Sequence, residues 1–311
     1  MYGSGKYTYT LAEDWAQLDG RSFLDVTGLA INNQDEVYIF NRGEHPIMVF
    51  DRNGQLLKSW GEGHFKRAHG CCIGSDSSIY CTDNGNHTVT KFTADGKVLL
   101  TLGVRDQPSN TGYRDKSPDR LERLASIKQG APPFNQPTGV ALSSTDEIYI
   151  SDGYGNARIH KFSQNGALLF SWGEPGQAPG QFRLPHSVWV DKHNRVWVPD
   201  RENNRIQIFN DEGEFLAQWT DLLRPTHVFI DNNEIVYVSE LSERISIFTT
   251  DGKLLTRWGN EHHAANDPLF IAPHTIAVDS IGDLYVGEVA MTIGKIDRGS
   301  RAVRKFIRSA L

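Results

Sequence analysis

The chain has 311 residues, 39% hydrophobic and 23% charged, with a formal net charge of −6. Enough apolar material is present for a sizeable core, while the acidic balance argues against a binder of phosphate backbones, which presents a basic face. No apolar run approaches the roughly 18 residues of a membrane span, so neither nucleic acid nor membrane is expected as a partner. Length alone suggests about two domains. Residues 1–15 are polar and aromatic without an apolar run, so no secretory signal is expected. Three cysteines, Cys71, Cys72 and Cys81, are too few and too clustered for a disulfide framework.

In chain order, KYTYTLAEDW (6–15) reads as a lone outer strand. A pattern then recurs, apolar-aromatic-apolar, a polar turn, and a second apolar alternation. It appears as VYIFNRGEHPIMVF (37–50), IYCTDNGNHTVTKF (79–92), IYISDGYGNARIHKF (148–162), VWVPDRENNRIQIF (196–209), VYVSELSERISIF (236–248) and LYVGEVAMTIGKI (284–296). A short apolar run precedes each copy, and five are followed by an outer run such as GQLLKSW (54–60). Each unit reads as four short strands of period-two alternation, separated by Gly, Asp and Asn turns. Four antiparallel strands in about 40–48 residues make a propeller blade. The chain is therefore expected to be all-β, a six-bladed β-propeller of one domain over residues 1–311. Strand 6–15 should close the sixth blade beside AVRKFI (302–307) and remove an exposed edge. An insertion at about 103–135 breaks the spacing. It is polar and rich in Pro and Gly, with DRLERLASI (119–127) as a short helix. A loop this long is usually functional or disordered.

Aligning the units exposes a register. The residues just before the first-strand runs are Thr27, His69, Thr138, His186, Thr226 and His274. Fourteen positions later stand Asn41, Asp83, Asp152, Asp200, Glu240 and Glu288 in all six units. Alternate blades of a six-bladed ring stand about 120° apart and their first strands line the channel. His69, His186 and His274 should then converge on the axis. With 11 histidines in the chain, three given positions would all be His by chance with a probability on the order of 10⁻⁴ or less. Three imidazoles with an open fourth position are the arrangement of a catalytic zinc. Thr27, Thr138 and Thr226 read as turn residues bonding backbone. The other histidines, His45, His64, His87, His160, His193, His227, His262 and His263, fall at varied positions and read as surface or supporting groups. Residues just after the second strands should overlook the same channel mouth: Arg42, Tyr154 and Arg201. Arg42 and Tyr154 are unusual at their repeat positions, which makes them site candidates. Asp152, Asp200, Asn156, Asn204, Arg158 and Arg205 read as turn scaffolding, and Arg201 shares that reading with a place in the pocket.

These residues resemble a known family. The units look like NHL repeats and, in detail, are similar to peptidyl-α-hydroxyglycine α-amidating lyase (peptidylamidoglycolate lyase). The matching stretches include IFNRGEHP (39–46), AHGCC (68–72), SDGYGNARIHKFSQNGALLFSWGE (151–174), PGQFRLPHSVWV (179–190) and APHTIAV (272–278). The resemblance implies zinc on His69, His186 and His274, a catalytic arginine at Arg42 and a catalytic tyrosine at Tyr154. It further implies a structural calcium on the carbonyls of Leu29 and Cys71 and on an Asp whose place is taken by Thr275. A hydroxyl is a poor substitute where a hard cation prefers carboxylate. A pocket-wall methionine of the family falls on Ala272, which changes the substrate wall. The family's cysteine pairs have no counterpart here, so a reducing cytoplasm is the expected location.

The activity implied is cleavage of an N-(α-hydroxy) amide, a carbinolamide, to an amide and glyoxylate or a related aldehyde. Zinc would act as Lewis acid, Tyr154 as base, and Arg42 would grip a carboxylate bidentately. Two alternatives stand beside it. One is a zinc-dependent hydrolase of an ester, lactone or amide on the same propeller. The other is a non-catalytic NHL interaction propeller, which has no use for three axial histidines.

Overall fold

The computed structural model describes residues 1–260 and 267–309; His262 and His263 lie outside them. The described residues form two compact units. Residues 63–225 carry three four-stranded sheets. Blade 2 is Ala68–Ile73, Ile79–Asp83, Thr88–Phe92 and Val98–Leu102. Blade 3 is Pro137–Leu142, Ile148–Asp152, Arg158–Phe162 and Leu168–Trp172. Blade 4 is Trp189–Val190, Val196–Asp200, Arg205–Phe209 and Phe215–Trp219. Residues 1–62 together with 226–311 carry the other three. Blade 1 is Val26–Ile31, Val37–Asn41, Ile47–Phe50 and Leu56–Trp60, and blade 5 is Pro225–Ile230, Ile235–Glu240, Arg244–Thr249 and Leu254–Gly259. Blade 6 is Pro273–Val278, Leu284–Glu288 and Val303–Arg308, completed by Tyr7–Ala12 and edged by Tyr2–Ser4. The chain is thus an all-β, six-bladed β-propeller with four antiparallel strands per blade.

The second strands are buried along their whole length, as in Ile148–Asp152 and Val196–Asp200, because both sheet faces are covered by neighbours. The fourth strands are half exposed and keep polar residues between apolar ones. The core lies between successive sheets. Tyr80, Val89, Phe134, Val140, Ile150 and Phe162 fill the space between blades 2 and 3, and Tyr149, Ile159, Val188, Val198 and Phe209 that between blades 3 and 4. Tyr237, Ile247, Ile276, Val286 and Phe306 do the same between blades 5 and 6. Tight turns link third and fourth strands. Gly54 sits in one with φ +87°, where an added Cβ would overlap the Trp15 carbonyl.

Blade 6 departs from the expected pattern in one respect. The apolar run 290–296, read above as part of its strand pair, is instead the helix Ala290–Gly294, and the third strand comes from Val303–Arg308. Tyr7–Ala12 then pairs antiparallel with Val303–Arg308, Leu11 opposite Phe306, so both chain ends build one blade. The insertion contains the expected helix, Arg120–Ala125, capped by Asp119 accepting from the Leu121 amide at 2.7 Å. It is docked, not loose. Leu124 and Ile127 pack on Leu184, with Tyr113 and Tyr154 against them. No helix among the described residues is long and apolar enough to cross a membrane.

Candidate active site

In the unit 63–225, His69 lies in the first strand of blade 2 and His186 three residues before that of blade 4, both buried, with ring centroids 4.9 Å apart. His69 Nδ1 lies 2.5 Å from the Thr138 carbonyl. A carbonyl only accepts, so Nδ1 carries the proton and Nε2 of the neutral ring is an acceptor. The Tyr154 hydroxyl lies 3.2 Å from Nε2 of both His69 and His186. Tyr154 is carried there by the turn after the second strand of blade 3. Gly153 precedes it in the chain, and a Cβ on Gly153 would collide with the Pro185 backbone. Arg201, 1% exposed, donates from Nη1 to the Tyr154 oxygen at 3.3 Å and from Nε to Glu202 at 2.9 Å. Burial works against its charge, but Tyr154 and Glu202 outweigh burial and raise its pKa above the ordinary value. The Arg201 guanidinium also stands over the Tyr154 ring at 5.5 Å, and that of Arg120, from the insertion, at 5.2 Å. Two guanidinium groups therefore stand where they stabilise negative charge on the phenol.

In the unit formed by 1–62 and 226–311, His274 opens the first strand of blade 6, buried, with Nδ1 3.0 Å from the Thr27 carbonyl. This is the same anchor that His69 makes to Thr138. Arg42, one residue past the second strand of blade 1, donates from Nη1 to Asp25 at 3.2 Å and to the Thr292 hydroxyl at 2.9 Å. Asp25 is itself held by the Thr292 hydroxyl and, at 3.1 Å, by the Thr292 amide. The helix Ala290–Gly294 thus fixes the carboxylate that orients Arg42. Of the residues named for calcium, the Thr275 hydroxyl accepts from the Leu29 amide at 3.1 Å, and Cys71 is a buried free thiol that burial pushes up to about 12. Ala272 is fully buried against Leu241 and Val289.

Of the threonines that alternate with the histidines, Thr27 donates to the Phe40 carbonyl of its own blade at 3.1 Å, while Thr138 and Thr226 are blade clamps. Thr138 Oγ1 lies 2.7 Å from the Pro185 carbonyl, and Thr226 Oγ1 3.0 Å from that of Pro273. Each meets the next blade one residue before its histidine. The acidic positions fourteen residues on cap the entry to their own blades: Asp200 accepts the Arg183 and Leu184 amides and Glu288 those of Ile271 and Ala272. Arg205 donates to Asp200, and Asn156 to Asp152, as scaffolding should. Sequence reasoning missed Asp25, Thr292 and Arg120. Asp25 had a signal, because the equivalent position in the other units is Arg67, Gln136, Leu184, Arg224 or Ala272, and an acid there occurs once.

An NHL repeat pattern matches residues 134–162 and 182–209. Mouse NHL repeat-containing protein 3 is 30% identical over 286 residues, 87% of this chain and 76% of the mouse protein. The chain belongs to this NHL-repeat family. Within reach of the same family is the peptidyl-alpha-hydroxyglycine alpha-amidating lyase 2 of Drosophila melanogaster, 27% identical over 91% of this chain and 72% of the fly protein. Peptidyl-glycine alpha-amidating monooxygenase B of Xenopus laevis is 34% identical over 62% of this chain and 24% of its own length. The chain thus spans about a quarter of that relative. Homologues of this NHL protein are named as amidating enzymes. A streptogramin B lyase structure superposes with a TM-score of 0.60 at 16% identity, covering 99% of this chain and 90% of that one, a likeness of fold.

Proposed function

We propose that the chain is a metal-dependent carbon–nitrogen lyase that splits an N-(α-hydroxy) amide into an amide and glyoxylate or a related aldehyde. The observation that carries this reading is the Tyr154 hydroxyl, 3.2 Å from the Nε2 atoms of two buried histidines and within reach of a buried arginine. His69, His186 and His274 are all buried and together could hold a metal ion. The donor set fits a zinc-like ion. His69 and His274 each give Nδ1–H to a carbonyl, the outer contact that sets a ligating tautomer. A divalent metal bound there would supply Lewis acidity toward the carbinol oxygen.

The chain's own groups do the rest. Tyr154, as phenolate, takes the carbinol hydroxyl proton. As the O–H bond yields, the oxygen forms the carbonyl of the aldehyde and the C–N bond breaks. Its electron pair stays on nitrogen, which receives the proton and leaves as the amide. Arg201 and Arg120 hold negative charge on the Tyr154 oxygen and ring before the transfer. Arg42, set by Asp25, grips the carboxylate of an α-hydroxyglycine and places the carbinol carbon. No covalent nucleophile is needed. Product analysis tests the reading. Incubation with an N-acyl-α-hydroxyglycine should release equal amounts of amide and glyoxylate, whereas a hydrolase would release the carboxylic acid of the acyl group. A non-catalytic interaction propeller would show no turnover at all in the same assay.

A further inference from the structure

Within the unit 63–225 a cavity of about 310 Å³ opens beside Tyr154, at the small end of ligand pockets. Arg67, Asn84, His87, Tyr113, Arg120 and Tyr154 are in its wall. Asn84 is 2% exposed, yet neither its amide nitrogen nor its oxygen has a hydrogen-bond partner. A buried amide left so calls for a ligand. Asn84 also occupies in blade 2 the repeat position held by Arg42 in blade 1 and Arg201 in blade 4. Its backbone amide donates to the Arg67 carbonyl as that of Arg201 donates to Leu184. His87 Nδ1 accepts the Gln136 amide at 3.0 Å, and burial lowers its pKa and keeps the ring neutral, so its remaining proton is on Nε2 as a donor. Charge in the wall is unbalanced. The one carboxylate, Asp115, pairs with Arg123 at 3.3 Å and accepts the Tyr113 hydroxyl at 3.3 Å. Among the described residues, neither Arg67 nor Arg120 makes an ion pair with a carboxylate.

We propose that this pocket is the subsite for the acyl half of the substrate and that it takes an acyl group bearing its own carboxylate. The proposal rests on the lyase reading. Tyr154 belongs to both places: its hydroxyl meets the histidines, and the residue lines the pocket. A substrate whose carbinol meets the hydroxyl therefore directs its acyl half here. Arg67 and Arg120 meet the carboxylate, His87 adds an N–H donor, and Asn84 reads an amide, accepting its N–H on Oδ1 and donating to its C=O from Nδ2. The insertion supplies Arg120 and Tyr113, so an unusual segment of the sequence becomes a specificity wall.

Calorimetric binding of two product-like amides tests this. N-acetylglutamic acid α-amide carries the carboxylate; N-acetylglutamine α-amide is its neutral isostere. The acid should bind about ten-fold more tightly to the wild-type protein, one ion pair's worth. Arg67→Glu should abolish that preference with an unchanged Tm, because Arg67 is exposed and its side chain makes no hydrogen bond. Asn84→Leu should weaken both ligands. Equal binding of the two amides by the wild type, or a preference untouched by Arg67→Glu, overturns the proposal. Turnover of the matching N-acetylglutamyl- and N-acetylglutaminyl-α-hydroxyglycines separates the two ideas. A lower KM for the acid at similar kcat supports both. Equal kcat/KM for the two overturns the acidic subsite and leaves the lyase. Acid-selective binding with no glyoxylate from either keeps the anion pocket and overturns the lyase.

Discussion

The Tyr154 hydroxyl has one proton and, within its own unit, meets the Nε2 atoms of His69 and His186 and the guanidinium of Arg201. Tyr154→Phe keeps the ring and its contacts with Leu124 and Leu184 but removes the base. Turnover should fall by about 10²-fold or more, with metal content and Tm unchanged, as read by steady-state kinetics beside elemental analysis. Asp25 acts through Arg42. Asp25→Asn removes the charge that sets the guanidinium, so KM for a carboxylate substrate should rise by about ten-fold while kcat changes less; a fall in kcat alone would place Asp25 elsewhere. At this scale the sequence spoke unevenly. Arg42, Tyr154 and the histidines stand out against the repeat because their residue types carry chemistry. Asn84 did not, because an amide after a strand reads as a turn residue until its empty valences and the cavity beside it are seen.

Each blade is an element whose first strand must be set against its neighbour. Thr138 does this between blades 3 and 4, its hydroxyl shared between the Ser151 and Pro185 carbonyls. Thr138→Val keeps the volume and removes the one hydroxyl proton that the Ser151 and Pro185 carbonyls share. It should cost about 1–3 kcal/mol, read from the shift of the denaturation midpoint, and should also lower turnover, because Pro185 precedes His186. An unchanged midpoint would show that the clamp is incidental. The clamp is legible in sequence only as a Thr at a fixed offset; the partner, a carbonyl 47 residues on, follows from the blade-to-blade contact. In blade 6 the helix Ala290–Gly294 stands where the repeat pattern alone predicts a strand. A short apolar run carries no mark of helix or strand by itself, and its fate here is set by Asp25 gripping Thr292.

The whole molecule is legible because its period is short and repeated six times, so the errors of single strands average out. Its closure rests on Tyr7–Ala12, which covers the edge of Val303–Arg308 and buries Tyr7 and Tyr9. Deleting residues 1–13 should expose that edge, lower Tm by several degrees and promote aggregation. A variant as stable and monodisperse as the full chain would show that the strand is dispensable. The single domain expected over 1–311 predicts one calorimetric transition. The alternation of threonine and histidine is legible only across the six repeats, since each repeat holds at most one of the three histidines. The most direct measurement of the central claim is therefore glyoxylate release from an N-acyl-α-hydroxyglycine by chelator-treated protein, titrated with zinc. The account predicts no release without metal and activity that saturates at about one equivalent per chain, with His186→Ala inactive at every ratio. Full activity in metal-free protein, or in His186→Ala, would contradict it.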